Sequence, residues 1–342
     1  MSSLVVQTSF LGDVVLTTPL IAELSRRGPV DVLTTPEGAT ILRNNPDIRD
    51  TLVYDRREAD RGLAGFARTM RRIRQLSGCE AAYMAQGSIR SALLIASSGI
   101  SRRIGFNTSE GRRLYTELVE YKADKHHAER LWWLSMSACA DPPLAEQTKP
   151  RLYPSAADDA ACEALLRESL DDASRPFIVL APGSAWGTKR WPYYPELAVK
   201  AAEQWNIVVV GGSGEREIGD TIVAQIPEGR GANAAGRLEI LASSALIGRA
   251  AALVTNDSAP QHLASAMGTP TVSIFGPTVP EFGFGPLAPG SVTAGHDSLA
   301  CRPCDRHGPQ RCPLGHWRCM RELSSSEVSG LLIRTLSYRA SA

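Results

Sequence analysis

The feature that most constrains this chain is a rhythm of short apolar runs separated by longer amphipathic stretches, which starts near the N-terminus, breaks, and starts again. In the first half, residues 4–7, 30–34, 51–54 and 81–84 read as buried strands. Helical spacing of apolar residues lies between them at 14–26, 62–76 and 89–97. Strands apolar on both faces, each followed by a helix, are the pattern of a parallel sheet whose crossovers cover it. Pro142 and Pro143, then residues 149–154, interrupt the rhythm. It resumes with a helix over 158–170, strands over 177–181, 207–210, 252–255 and 271–275, and helices over 194–204, 215–225, 238–248 and 260–267. The expectation is an α/β chain of two Rossmann-like domains, residues 1–155 and 156–342, with parallel sheets facing a central cleft. The last helix, 327–336, is a candidate to pack back on the first domain.

A chain of 342 residues suits two ordinary domains. Its 43% hydrophobic and 21% charged residues are globular values. A formal net charge of +1 gives no reason to expect a nucleic-acid partner. The first residues lack a basic segment ahead of an apolar core, and no apolar run approaches the roughly 20 residues of a membrane span. The expected location is the cytoplasm, with room for peripheral contact on the cytoplasmic face of the inner membrane. Seven cysteines, an odd number, argue against a disulfide framework. Cys79, Cys139 and Cys162 are scattered and read as small core residues.

Four loops that follow expected strands carry the chemistry. In the first, Gly12 permits a tight turn and Asp13 stands at an N-cap or first-turn position. By itself it could be only a helix cap. The second loop reads Ala-Pro-Gly-Ser-Ala-Trp-Gly-Thr-Lys-Arg-Trp-Pro from residue 181. Small residues expose backbone N–H groups there, and hydroxyls with one ammonium suit phosphate oxygens. The Gly-Lys-Ser/Thr order of a Walker loop is missing, and an ordinary exposed βα loop is the other reading. In the third, Gly212 and Gly214 start a dinucleotide fingerprint, but Glu217 stands where its last glycine belongs, which leaves a nicotinamide-dependent enzyme poorly supported. Glu215 and Glu217 would also favour a helix N-terminus. In the fourth, Asn256, Asp257 and Ser258 precede a helix whose free N-terminus could take an anion, with His262 about one turn in.

Two further clusters stand out. Cys301, Cys304, Cys312 and Cys319, with His307 and His316 among them, would suit a structural zinc ion; the other reading is reduced cysteines in an irregular loop. From Asp55 to Arg113, twelve arginines face five acids in a chain whose net charge is only +1. A solvated helix face explains part of that excess. A phosphate- and carboxylate-bearing acceptor at an anionic membrane would explain more of it, with Arg57, Arg61, Arg71 and Arg72 as the contacts and Arg74 beside them.

Taken in order, Ser-Phe-Leu-Gly-Asp-Val-Val-Leu-Thr-Thr-Pro from residue 9, Lys-Arg-Trp-Pro from 189, Asp-Ser-Ala-Pro-Gln-His-Leu from 257 and Phe-Gly-Pro-Thr from 275 resemble the motifs of glycosyltransferase family 9. These are the ADP-heptose:lipopolysaccharide heptosyltransferases, and the cysteine-rich tail resembles those that add the second heptose. Ala259 departs from the family's glycine. The resemblance implies a GT-B fold, with the lipopolysaccharide core and lipid A acceptor on the first domain and the ADP-sugar donor on the second. It implies inverting transfer that needs no metal for the chemistry. Asp13 would be the general base. Ser184, Thr188 and Lys189 would hold the donor diphosphate, and Lys189 would also offset charge on the departing ADP. Glu215 would contact the ribose, with Glu217 close behind. Asp257 would contact the donor sugar or fix its loop. The helix end at Ser258 would stabilise the leaving group, His262 would join the site, and Gly276 would line the nucleotide pocket. Two other classes stay open: a GT-B nucleotide-sugar enzyme with other chemistry, such as an epimerase, and a non-catalytic nucleotide-sugar-binding relative.

Overall fold

A computed structural model describes residues 2–76, 78–136 and 141–341. The chain divides into two compact units, Met1–Tyr153 and Pro154–Ala342. The first runs β1 Ser2–Gln7, α1 Leu11–Leu16, α2 Thr18–Ser25, β2 Val30–Thr34, α3 Pro36–Ile41, β3 Asp50–Val53, α4 Gly62–Arg74, β4 Cys79–Met84, α5 Ile89–Ser98, β5 Arg102–Phe106, β6 Glu117–Val119 and α6 His127–Trp133. The second runs α7 Ala156–Ser169, β7 Phe177–Ala181, α8 Tyr194–Ala201, β8 Asn206–Val209, α9 Arg216–Val223, β9 Gly231–Asn233, α10 Ile240–Arg249, β10 Leu253–Asn256, α11 Ala259–Met267, β11 Thr271–Phe275, β12 Val292–Gly295, α12 Arg318–Arg321 and α13 Ser325–Ser341.

Each unit holds one six-stranded sheet. The orders are β3-β2-β1-β4-β5-β6 and β12-β11-β10-β7-β8-β9. Every pairing is parallel. Read from its own first strand, each sheet has the doubly wound order 3-2-1-4-5-6. The central strands β1, β7 and β11 are buried at every residue, as sheets covered on both faces require. Leu4, Val6, Leu33, Ala82, Met84, Leu94 and Ile95 anchor the first core. Ile178, Leu180, Trp191, Leu197, Val209, Val254 and Ile274 anchor the second. The α/β architecture expected from the rhythm is present in both units.

The differences have local causes. One helix was expected over 14–26, but the chain breaks at Thr17 into α1 and α2. Pro19, in the first turn of α2, has no N–H and its ring crowds the carbonyl four residues back, so a continuous helix is excluded. Asp13 is a first-turn residue of α1 rather than its cap, which is Phe10. Three strands absent from the periodicity, β6, β9 and β12, lie at sheet edges, where short and polar or glycine-containing runs suffice. β5 escaped notice because it opens on Arg102 and Arg103, whose charges find Glu117 and backbone carbonyls. The helix α7 starts at a capping box in which Ser155 and Asp158 satisfy each other's backbone N–H groups. α11 ends on Gly268, whose φ of 75° only glycine adopts without cost. The last helix packs on α8, β11 and β12 of the second unit. Cys162 is buried and Cys79 is half-buried, while Cys139 lies outside the described residues.

Leu180 is fully buried in the middle of the second sheet. Leu180→Ala should therefore destabilise the second unit by about 2–5 kcal/mol, read as a lowered urea midpoint.

Candidate functional site

In the second unit the second, third and fourth motif loops leave the C-terminal ends of β7, β8 and β10. β7 and β10 are the neighbours at which the strand order reverses, the place where α/β sheets open a crevice. A short 3-10 turn, Gly187–Lys189, aims Lys189 inward. Its ammonium donates to Asp257 Oδ2 at 2.6 Å and to the Asp257 carbonyl at 3.1 Å. Both side chains are 10% exposed. The same carboxylate accepts Thr278 Oγ1 at 2.7 Å and Gln261 Nε2 at 2.9 Å. Taking two charges out of water is offset only where the remaining lone pairs are filled, and Thr278 and Gln261 fill them. Asp257 was expected to touch a sugar or fix its loop; its oxygens are engaged by Lys189, Gln261 and Thr278. Asn256 ties the neighbouring loop in, its side chain donating to Pro182 O and accepting from Trp191 N.

Ser258 caps α11 without a side-chain bond to the helix, so the first N–H groups face outward from its N-terminus. Ser184 is buried, and its hydroxyl accepts Trp186 N at 3.2 Å. The third loop folds against the second. Glu215 accepts Gly212 N at 2.5 Å, and its carboxylate lies so close to Gly183 that a Cβ there would meet Oε1 at 2.5 Å. Glu217 instead sits in the first turn of α9. His262 is buried, its ring 6.3 Å from that of Phe284. Gly276 serves packing: a Cβ would meet Met320 Sδ at 2.5 Å. Trp191, 2% exposed, is a core residue.

Thr188 is the one expected phosphate ligand whose hydroxyl proton goes elsewhere, to the Pro309 carbonyl. That bond belongs to a set sequence reasoning missed. The cysteine-bearing segment is laced onto the motif loop: Gln310 accepts Gly187 N at 3.1 Å and donates to Ala185 O at 2.9 Å. His307 stacks on Trp186 at 6.1 Å. Arg302, almost fully buried, donates to the carbonyls of Phe275, Gly276 and Thr278. None of these residues follows a strand or shows periodicity, so only the density of polar side chains hinted at them.

The four cysteines lie near one another: the charges of Cys301 and Cys312 act on Cys304, and those of Cys301, Cys304 and Cys312 act on Cys319. Among the described residues no three His, Cys, Asp or Glu side chains converge as a metal ion needs. Cys301 Sγ lies 3.9 Å from His316 Nε2, Cys304 donates to the Cys301 carbonyl, and Cys319 is buried in the core. Burial pushes the thiols of Cys79, Cys162 and Cys319 up to about 11. Burial also acts to raise Cys312, but the N–H groups of Leu314, Gly315, His316 and Trp317 outweigh it and hold that thiol below its ordinary value.

In the first unit, Asp13 stands at the matching place, after β1, where β1 and β4 diverge. Ser9 Oγ donates to its Oδ2 at 2.7 Å, and Thr17 Oγ1 to its backbone carbonyl at 2.7 Å. Buried Gln7 holds both flanks, donating to Thr17 Oγ1 and accepting from Ser9. His127 Nε2, at the start of α6, lies 3.7 Å from Asp13 Oδ1. Motif reading missed this histidine. The arginine-rich stretch divides by role. Arg57, Arg61 and Arg71 are exposed. Arg72 donates to the Val53 carbonyl and Arg74 to that of Ser97, while Arg68 pairs with Asp60. Part of the charge excess is therefore structural.

Two doubly wound parallel sheets with charged loops at their switch points are the architecture of the GT-B enzymes. The profile of glycosyltransferase family 9 (heptosyltransferase) matches residues 69–314, and the chain belongs to that family. It is 29% identical over 324 residues to lipopolysaccharide heptosyltransferase 1 of Pseudomonas aeruginosa, covering 89% of this chain and 86% of that one. It is 26% identical over 295 residues to lipopolysaccharide heptosyltransferase 2 of Salmonella typhimurium, covering 82% and 84%. Among solved structures, Escherichia coli ADP-heptose lipopolysaccharide heptosyltransferase II superposes with a TM-score of 0.80 at 23% identity, covering 100% of each chain. A family 9 glycosyltransferase of Veillonella parvula gives 0.85 at 19% identity, covering 98% and 97%. No helix of the described residues is long and apolar enough to cross a membrane.

Lys189→Met should cost about 3–5 kcal/mol by stranding buried Asp257, and adding Asp257→Leu should recover most of it in thermal unfolding without recovering nucleotide binding. Timed alkylation read by mass spectrometry should label Cys312 before Cys79, Cys162 and Cys319, with the gap narrowing as pH rises toward 11.

Proposed function

We propose that this heptosyltransferase moves a heptose from ADP-L-glycero-D-manno-heptose to the inner core of lipopolysaccharide with inversion. The observation that carries the reading is the placing of a buried cation, Lys189, beside the open N-terminus of α11 on a nucleotide-sugar transferase fold. Phosphate oxygens of an ADP-sugar meet that charge and those N–H groups. Both favour the diphosphate more as it departs and gains charge. To reach phosphate, Lys189 keeps its position and exchanges part of its bond to Asp257. Glu215, whose carboxylate lies against Gly183, takes the ribose hydroxyls in this reading. Ser184 and His262 complete the donor side.

On the acceptor side Asp13 takes the proton of the attacking hydroxyl. That oxygen bonds to the anomeric carbon, and the bond from that carbon to the phosphate oxygen breaks with its electrons going to ADP. Arg57, Arg61 and Arg71 attract the phosphates of the acceptor, and the same charge favours peripheral contact with an anionic membrane from the cytoplasm. The reading calls on no metal for any step.

Purified protein should release ADP from ADP-heptose only when heptose-bearing lipid A core is present, and Asp13→Ala should lower that release by about 100-fold or more. Donor turnover that needs no acceptor would instead indicate an epimerase-like or hydrolytic enzyme.

A further inference from the structure

We propose that His127 is a positioning residue for Asp13, holding the carboxylate in the orientation from which it accepts the acceptor's proton. The inference rests on the reading of Asp13 as the base and adds a second residue to it. Two side chains address the two oxygens of this carboxylate: Ser9 Oγ at 2.7 Å from Oδ2, and His127 Nε2 at 3.7 Å from Oδ1. A carboxylate with one tethered oxygen still turns about its last bond, whereas donors on both oxygens stop that rotation. The His127 distance is that of an ion pair rather than a short hydrogen bond. A protonated Nε2 is the donor this role requires.

The geometry also favours Asp13 as the base of the pair. The His127 side chain is 13% exposed and its Nδ1 is sealed from solvent. The other ring nitrogen, Nε2, lies 3.7 Å from Asp13 Oδ1. A sugar hydroxyl therefore has no free imidazole nitrogen to meet. The Asp13 side chain is 21% exposed and can meet one. His127 acts through Asp13. When the hydroxyl gives up its proton, the proton goes to Asp13, the new bond forms from that oxygen to the anomeric carbon, and the electron pair of the broken bond leaves on ADP.

The chain fixes His127 twice. It is the first residue of α6, and the preceding His126 caps that helix, its Nδ1 accepting Ala128 N at 3.2 Å. Arg130, buried, donates to the carbonyls of Lys122 and Ala123 and so holds the helix to the segment before it. Neighbouring histidines thus have separate duties, one structural and one directed at Asp13, and this separation makes the test clean.

The experiment is steady-state transfer by the full chain, with ADP-heptose and heptose-bearing lipid A core, for His127→Ala, His127→Gln, His126→Ala, Asp13→Ala and the parent. His127→Ala should lower kcat by about tenfold or more while KM for either substrate stays within about twofold. His127→Gln, whose amide nitrogen can stand near Nε2, should regain a large part of that loss. His126→Ala should lower the Tm without the loss in kcat. A kcat for His127→Ala within about twofold of the parent, with Asp13→Ala inactive, overturns the role of His127 and leaves the base intact. An equal loss in His126→Ala, or a loss in His127→Ala that glutamine does not restore, assigns the effect to the helix start and also overturns it. Full activity in Asp13→Ala removes the base reading itself.

Discussion

An all-parallel sheet cannot be closed by tight turns, so the chain must leave each strand at its C-terminal end and cross over through a helix. Both units obey this rule along their central strands, while β5 to β6 and β11 to β12 cross over through loops that hold only a short 3-10 turn. One edge of each sheet therefore collects all the outgoing loops. Because the strand order reverses beside the first strand of each unit, the loops after β1 and β7 have open space outside them. Asp13 and Lys189 occupy these two loops. Their positions follow from chain connectivity before any side-chain contact is considered.

Side-chain contacts then determine what these charges can do. Lys189 is taken out of water and paired with a carboxylate that three side chains address at once. Such a cation is already desolvated and held in one place. The opposite strategy appears in the basic stretch of the first unit. There several guanidinium groups are committed to carbonyls or carboxylates, and three expected acceptor contacts, Arg57, Arg61 and Arg71, stand exposed.

Much of this was legible from residue order, and the reasons are physical. Central strands bury both faces, so their apolar runs announce them, as residues 4–7 and 177–181 did. The motif loops were legible because a phosphate or proton site after a strand needs small residues, hydroxyls and a charge close together in sequence. What stayed hidden depends on contacts between distant residues. His127 meets Asp13 across more than a hundred residues. Gln310 meets Ala185 and Gly187 across a similar span. Thr188, read as a phosphate ligand, donates to the Pro309 carbonyl across a similar span. The four cysteines have metal-like spacing, and the fold gathers them into one neighbourhood in which their charges act on one another, with Cys319 packed into the core.

The lacing of residues 307–310 onto the loop that bears Lys189 gives that segment a thermodynamic role although it carries no charge used in transfer. Linkage is reciprocal: free energy that a bound ligand spends ordering one loop is felt equally by whatever holds that loop in place. Any ligand that ordered the Lys189 loop would thus be coupled to the order of a stretch more than a hundred residues downstream, and substitutions there would shift its affinity without touching it.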